Sequence, residues 1–234
     1  MRRLCNLNYI DLSMNNLYGD TAARKNLFFC MKQLHVLDVG DNNVTGSLSG
    51  WLEDLTSVIY LDISNNLFSG QVPENISKLS NLTYLDLSSN AFDGVISEIH
   101  FGSVSSLEFL SLASNNLNIA IEQKWMPPFQ LRVLRLHACR VGPYFPYWLR
   151  SQTKIEMVDL RSTDIMGTLP DWLWNFSSSI TSLDLSNSPR LLAEGLTIAS
   201  HRLLKKQAPW RNTFNHGFYN LPCCIIPKRE QLNW

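Results

Sequence analysis

The chain repeats itself about every 24 residues, and a period of that length admits only architectures that stack one small unit on the next. One anchor per unit falls at Ile10, Leu37, Leu61, Leu85, Leu110, Leu134, Val158 and Leu183, with steps of 27, 24, 24, 25, 24, 24 and 25 residues. Two residues after each anchor stands Leu12, Val39, Ile63, Leu87, Leu112, Leu136, Leu160 and Leu185, all aliphatic. Three residues before it stands Leu7, Leu34, Val58, Leu82, Leu107, Leu131, Ile155 and Ile180, again all aliphatic. Five residues after it come Asn15, Asn42, Asn66, Asn90 and Asn115, then Cys139, Thr163 and Ser188. Asparagine is 21 of 234 residues, so chance would place fewer than one at these eight positions. Nine residues after the anchor is glycine in five units: Gly19, Gly46, Gly70, Gly94 and Gly167.

The chemistry of the unit follows from these spacings. The apolar-x-apolar centre alternates with period two, which predicts a short strand with one face inward. The asparagine stands where the chain leaves the strand, and its amide can bond backbone groups of the turn and of the next unit. Cys139, Thr163 and Ser188 are smaller polar residues that fill that slot less completely. Glycine then relaxes a tight bend. This is the leucine-rich-repeat pattern, and one unit cannot bury its apolar face alone. The fold class it predicts is a right-handed β/α horseshoe. A parallel sheet of eight strands, roughly 35–40 Å long at ~4.8 Å per strand, lines the concave side. Short helical or 3₁₀ turns lie on the convex side, with residues 73–82 and 170–180 supplying apolar groups there. Residues 1–188 form the solenoid of about eight repeats. Residues 189–234 carry no such period and are expected to be a poorly ordered basic tail, with Pro189 and Arg190 breaking the last repeat at its bend. A short helix over Leu191–Leu204 is the alternative, covering the open end of the core.

Composition narrows the function. Lys+Arg and Asp+Glu are 20 each, which argues against an electrostatic nucleic-acid binder. The balance is uneven, −5 over residues 1–188 and +5 over 189–234. No apolar run reaches the ~18 residues of a membrane span. The opening MRRLCNLNYIDLS lacks a continuous apolar stretch, so it does not read as a signal peptide. Among the five cysteines there is no zinc-like spacing; a Cys5–Cys30 bridge is one possibility. No phosphate loop, dinucleotide fingerprint, nucleophile elbow, zinc-protease or kinase motif occurs. The expectation is a non-enzymatic chain with neither cofactor nor metal.

A longer motif is more specific than the repeat itself. NNLFSGQVPENI (65–76) and LDLSSNAFDGVI (85–96) resemble the plant extracellular subtype. WMPPFQLRVLRLHACRVGPYFPYWLRSQTKIEMVDL (125–160), with its WxPPFQL opening and GPxFPxWL continuation, resembles plant receptor-like proteins, the kinase-less relatives of leucine-rich-repeat receptor kinases. The resemblance implies a fragment of a receptor at the plasma membrane whose solenoid faces outside the cell. It further implies a peptide, glycan or protein ligand, a partner receptor kinase, and a role in defence or developmental signalling. A soluble wall-associated inhibitor of a secreted hydrolase, like the polygalacturonase-inhibiting proteins, is a second reading. A truncated, non-functional product is a third, since the usual cap, signal peptide and membrane helix are not seen.

Strand alternation names the residues that face outward. The position before the anchor gives Tyr60, Tyr84 and Phe109 on neighbouring strands. An exposed aromatic run of this kind is either a binding anchor or cross-strand packing that stiffens the sheet. The position after the anchor is an aspartate column (Asp11, Asp38, Asp62, Asp86), read as solvated and without raised pKa values. At the sixth repeat it reverses to Arg135, with Arg132, His137 and Arg161 nearby. That cluster either pairs a ligand carboxylate or sulfate or is neutralised by Glu108, Glu156 and Asp159. Asn43, Asn75, Asn81 and Asn175 head glycosylation sequons, a number that chance alone would supply, and are used only if the chain enters the secretory pathway.

Overall fold

The alternating apolar pattern folds as its period requires. A computed structural model describes residues 5–21, 31–50, 52, 54–176 and 179–192. One strand per coil, β1 (Tyr9–Asp11), β3 (Val36–Asp38), β5 (Tyr60–Asp62), β7 (Tyr84–Asp86), β9 (Phe109–Ser111), β11 (Val133–Arg135), β12 (Met157–Asp159) and β14 (Ser182–Asp184), joins a single parallel sheet in that order. Equivalent residues meet without slip: Leu61 lies between Leu37 and Leu85, and Leu134 between Leu110 and Val158. Leu37, Leu61, Leu85 and Leu134 are completely buried, and the apolar residues of successive coils share one core. Short 3₁₀ turns at Glu74–Lys78, Glu98–His100, Tyr147–Ser151 and Asp171–Phe176 lie in the segments between one coil's turn and the next coil's strand.

The asparagines tie the coils together. Asn66 Nδ2 donates to Ile63 O and Ser64 O of its own turn and to Val39 O of the preceding coil, at 3.3, 3.0 and 2.9 Å. Its Oδ1 accepts the Val44 N–H at 2.9 Å. Asn42, Asn90 and Asn115 repeat this arrangement. The residue just before the asparagine position, filled by Cys139, Thr163 and Ser188 in the last three coils, is left-handed in every coil, from Met14 (φ 54°) to Asn187 (φ 57°). That turn carries the N–H and C=O groups that the amide satisfies.

A second sheet was not expected. Beyond the asparagine, β2 (Tyr18–Asp20), β4 (Asn43–Gly46), β6 (Leu67–Gln71), β8 (Ala91–Ile96) and β10 (Asn116–Ile119) pair in parallel. The five glycines at the ninth position all have positive φ, from 79° to 132°, as the bend demands. The sheet stops after β10, with only an isolated bridge from Asn118 to Arg140. The sixth coil has Pro143 where five of the other coils have glycine, and proline brings no N–H to a ladder. Pairing resumes between β13 (Gly167–Thr168) and β15 (Leu191–Leu192).

That last pair corrects one expectation. Pro189 and Arg190 do not break the eighth coil: Gly167 N donates to Arg190 O at 3.0 Å. Pro189 stands in the turn, where the ladder asks for no N–H; of the alternative helix over Leu191–Leu204 only Leu191 and Leu192 are among the described residues, and they form a strand. The rest of the tail lies outside the described residues. Cys5 is disulfide-bonded; Cys30, its possible partner, also lies outside them.

Two substitutions test this account. Leu85→Ala empties a fully buried site and should lower the unfolding free energy by ~2–5 kcal/mol. Asn66→Ala strands buried backbone groups of two coils and should cost ~1–3 kcal/mol. Urea titration followed by circular dichroism measures both.

Candidate ligand-binding face

The unslipped register fixes what the concave face presents, because like residues of successive coils become neighbours. Tyr60 and Tyr84 stack with ring centroids 4.1 Å apart and planes 11° apart, and Tyr84 and Phe109 do the same. The aromatic run expected from sequence is therefore contiguous but not freely exposed. Both tyrosines are half-buried, and Phe109 keeps only 8% of its surface. The guanidinium of Arg135 covers it, 5.4 Å from the ring centroid. Ring faces are spent on one another, and the Tyr60 hydroxyl reaches Asp62 Oδ2 at 3.5 Å. Burial, then the charges of Asp86 and Asp62, pushes the Tyr84 phenol up, so it stays neutral.

The aspartate column departs from expectation. Each carboxylate closes its own turn: Asp62 Oδ1 accepts the Ser64 N–H at 2.9 Å and its hydroxyl at 2.6 Å. Asp11 and Asp86 bond Ser13 and Ser88 in the same way, and Asp38 takes the Gly40 N–H at 2.9 Å. Asp86 is only 6% exposed. Burial followed by the Asp62 charge raises Asp38 to about 7 and Asp86 to about 6. Asp62 is raised as well, chiefly by burial. For Asp38, Asp62 and Asp86 the reading as ordinary solvated carboxylates fails because burial within the stacked coils desolvates them, while Asp11 in the first coil is exposed. The Asp-x-Ser spacing was the available signal.

The basic cluster is assembled and largely paired. Arg132 Nε meets Glu156 at 2.8 Å. Arg161 binds both oxygens of Asp159, at 2.9 and 2.8 Å, and reaches Asp184 at 3.5 Å. His137 Nδ1 lies 2.9 Å from Asp159. Burial alone would raise Asp159, but the bonds from His137 and Arg161 outweigh it and hold the group down at about 2. Neutralisation by neighbours thus describes Arg132 and Arg161, while His137 stands beside Asp159 and Arg135 lies over the Phe109 ring.

The other candidate residues lie elsewhere. Asn43 is exposed in β4 and bonds Asn16 at 2.9 Å; Asn81 is exposed ahead of β7; Asn75 is half-buried in the 3₁₀ turn. Asn175 falls in the last 3₁₀ turn, its side chain outside the described set. Among the described residues, no group of three could hold a metal ion, and no helix is long and apolar enough to cross a membrane.

The fold and this face define a class: a leucine-rich-repeat solenoid. The leucine rich repeat family matches residues 32–92. Within that class the chain is similar to plant receptor-like proteins. It is 40% identical over 93 residues to receptor-like protein EIX1 of Solanum lycopersicum, covering 40% of this chain and 9% of that protein. It is 31% identical over 138 residues to receptor-like protein 15 of Arabidopsis thaliana, covering 57% and 14%. The chain thus spans a small fraction of the length of the curated relatives it matches. The crystal structure of PEPR1–AtPEP1 superposes with a TM-score of 0.65 at 22% identity, over 78% of this chain and 28% of that one. The Arabidopsis receptor kinase HAESA, in complex with the peptide hormone IDA and the co-receptor SERK1, gives 0.63 at 24%, over 78% and 34%. Those likenesses establish the fold.

The titrations give a testable sign. Asp38, Asp62 and Asp86 are raised in the folded chain, so between ~4 and ~7 it holds protons that the unfolded chain releases. Their contribution to stability therefore falls as pH climbs through that window. Asp159 has the opposite sign, and its contribution is lost only as pH falls below ~4 toward 2. Thermal unfolding should show a higher midpoint at pH 5 than at pH 7.5. Asp62→Asn should shrink the difference, because it removes the charge acting on both neighbours.

Proposed function

We propose that the concave face binds a peptide or protein segment, and that the chain is a non-enzymatic recognition part of a plant receptor-like protein. In that setting the solenoid faces outside the cell, at the plasma membrane, and signals through a partner receptor kinase in defence or development. The observation that carries this reading is the ledge of Tyr60, Tyr84 and Phe109, capped by Arg135 and bordered by the Asp38–Asp86 column. Aromatic and arginine anchors on a preorganised sheet are what protein interfaces use as hot spots, since little side-chain entropy remains to be lost. The similarity to EIX1 and its relatives supports the receptor setting. So does the structural likeness to the receptor kinase HAESA, solved with a peptide hormone and a co-receptor.

The test is selection of binders from a random displayed peptide library against the folded chain. Tyr84→Ser and Arg135→Glu should each weaken selected binders ~10–30-fold by calorimetry. Met126→Ala, at an exposed residue away from this face, should leave them unchanged. Binding that ignores both concave substitutions would overturn the reading. Secretion from plant cells should add glycans at the exposed Asn43 and Asn81, read as a mass shift that peptide-N-glycosidase and Asn→Gln substitution each remove.

A further inference from the structure

The two ends of the aromatic stack differ. At the far end the guanidinium of Arg135 lies over Phe109, 5.4 Å from the ring centroid. At the near end the residue in register beside Tyr60 is Val36, half-buried and without a ring. One strand farther the column is aromatic again at Tyr9, which is 46% exposed. Tyr9 and Tyr60 hold their hydroxyls alike, each 3.5 Å from Oδ2 of the aspartate two residues on. Val36 therefore leaves the column one ring short, between two tyrosines that stand two strand spacings, ~9.6 Å, apart. A flat group needs ~3.5–4 Å of contact distance on each of its sides, which that separation supplies.

The chemistry beside this gap is anionic. Asp38 stands in register between Asp11 and Asp62. In the first, third and fourth coils the serine two residues on gives the aspartate both an N–H and a hydroxyl. In the second coil that residue is Gly40, and Asp38 accepts the Gly40 N–H alone, at 2.9 Å. Asp38 is thus one donor short of its neighbours, and it keeps part of its surface in solvent. Among the described residues no cation pairs with Asp11, Asp38, Asp62 or Asp86, whereas Glu156 and Asp159 have Arg132 and Arg161. Burial followed by the Asp62 charge raises Asp38 to about 7, and Asp11 and Asp41 push the same way.

We propose that the gap at Val36 takes the side chain of an arginine in a bound peptide or protein segment, its guanidinium lying between the Tyr9 and Tyr60 rings and donating to Asp38. The inference rests on the concave face being the binding face, and it names the side chain that this face selects. A guanidinium is as flat as a ring, stacks on aromatic faces and forks onto a carboxylate. It caps the first end of the stack as Arg135 caps the last. A tyrosine fits the gap by shape but brings no charge to three aspartates, and a lysine brings the charge without the plane.

Nuclear magnetic resonance of the ¹⁵N-labelled full chain at pH 7.5 tests it. The probes are acetyl-Gly-Arg-Gly-methylamide, its citrulline counterpart, which keeps the shape and loses the charge, and its tyrosine counterpart. The Val36 and Gly40 amide resonances should move saturably with the arginine peptide and at least about tenfold more weakly with the other two. Asp38→Asn should abolish the preference for arginine over citrulline, and so should pH 5, where Asp38 holds its proton. Val36→Tyr supplies the missing ring from the chain itself and should abolish the response. Asp38→Asn keeps the side chain's shape, so the test stands even if the Val36 variant does not fold. No response to the arginine peptide, an equal response to citrulline or tyrosine, or a preference that survives in Asp38→Asn sinks the proposal. The broader reading fails by a different result: library binders indifferent to Tyr84→Ser and Arg135→Glu. Binders that need both residues, beside an arginine peptide that moves nothing, leave that reading standing and remove only the arginine.

Discussion

The solenoid depends on how buried turn backbone finds partners between coils. Each coil leaves its strand through a left-handed residue, and that bend points N–H and C=O groups into the body of the protein. Without partners these groups would oppose stacking. A single asparagine settles the matter by donating to its own turn, donating to the preceding coil and accepting from it. Stacking apolar faces supplies the driving force, but apolar contact alone does not fix register. The amide does, because only one alignment offers all its partners at once.

Unslipped register has consequences for chemistry at the surface. A sequence that repeats every 24 residues places like beside like on the sheet. For aromatic rings this is favourable, and Tyr60, Tyr84 and Phe109 stack. For carboxylates it is not: burial raises Asp38, Asp62 and Asp86, and the Asp62 charge raises Asp38 and Asp86 further. For Asp62 and Asp86 the serine two residues on partly offsets that cost by donating twice to one oxygen. Where the column changes sign, charges of opposite kind meet, and Asp159 is pulled down by His137 and Arg161. One rule of adjacency thus produces a proton-binding half and an ion-paired half on a single face.

The repeat made most of the architecture legible. The aliphatic triad of each unit, the ladder asparagines and the bend glycines all take the places that their chemistry assigns. What stayed hidden was whatever depends on a neighbouring coil rather than on the unit itself. Asp86 has the same local sequence as the exposed Asp11; its burial comes from its place between the strands of neighbouring coils, beside Asp62 and Ser111. Phe109 stands at an outward position, yet Arg135 of the next coil covers it. The second sheet escaped notice because its residues, such as Leu67–Gln71, alternate too weakly to signal a strand. Pro143 at a glycine position was a visible mark of where that sheet stops, but it has meaning only once the sheet is known.

The irregular coils solve the stacking problem by another route. From the sixth coil onward the ladder amides give way to Cys139 and Thr163, and the second sheet is interrupted. The same stretch carries the WxPPFQL and GPxFPxWL motifs, and its aromatic side chains bridge the coils instead. Trp125 packs edge-on against Phe129 and Trp148, with centroids 5.9 and 6.3 Å apart, and Phe145 meets Trp172 at 5.7 Å. Gln152 ties these segments back with bonds to Leu131 N and Phe129 O. Large rings tolerate departures from the 24-residue module that an amide ladder does not, because their contacts are broad rather than directional. The chain therefore relaxes its repeat geometry where aromatic packing has taken over the holding of coils. That change of glue begins at the junction where Arg135 covers Phe109, so the concave ledge ends where the regular solenoid ends.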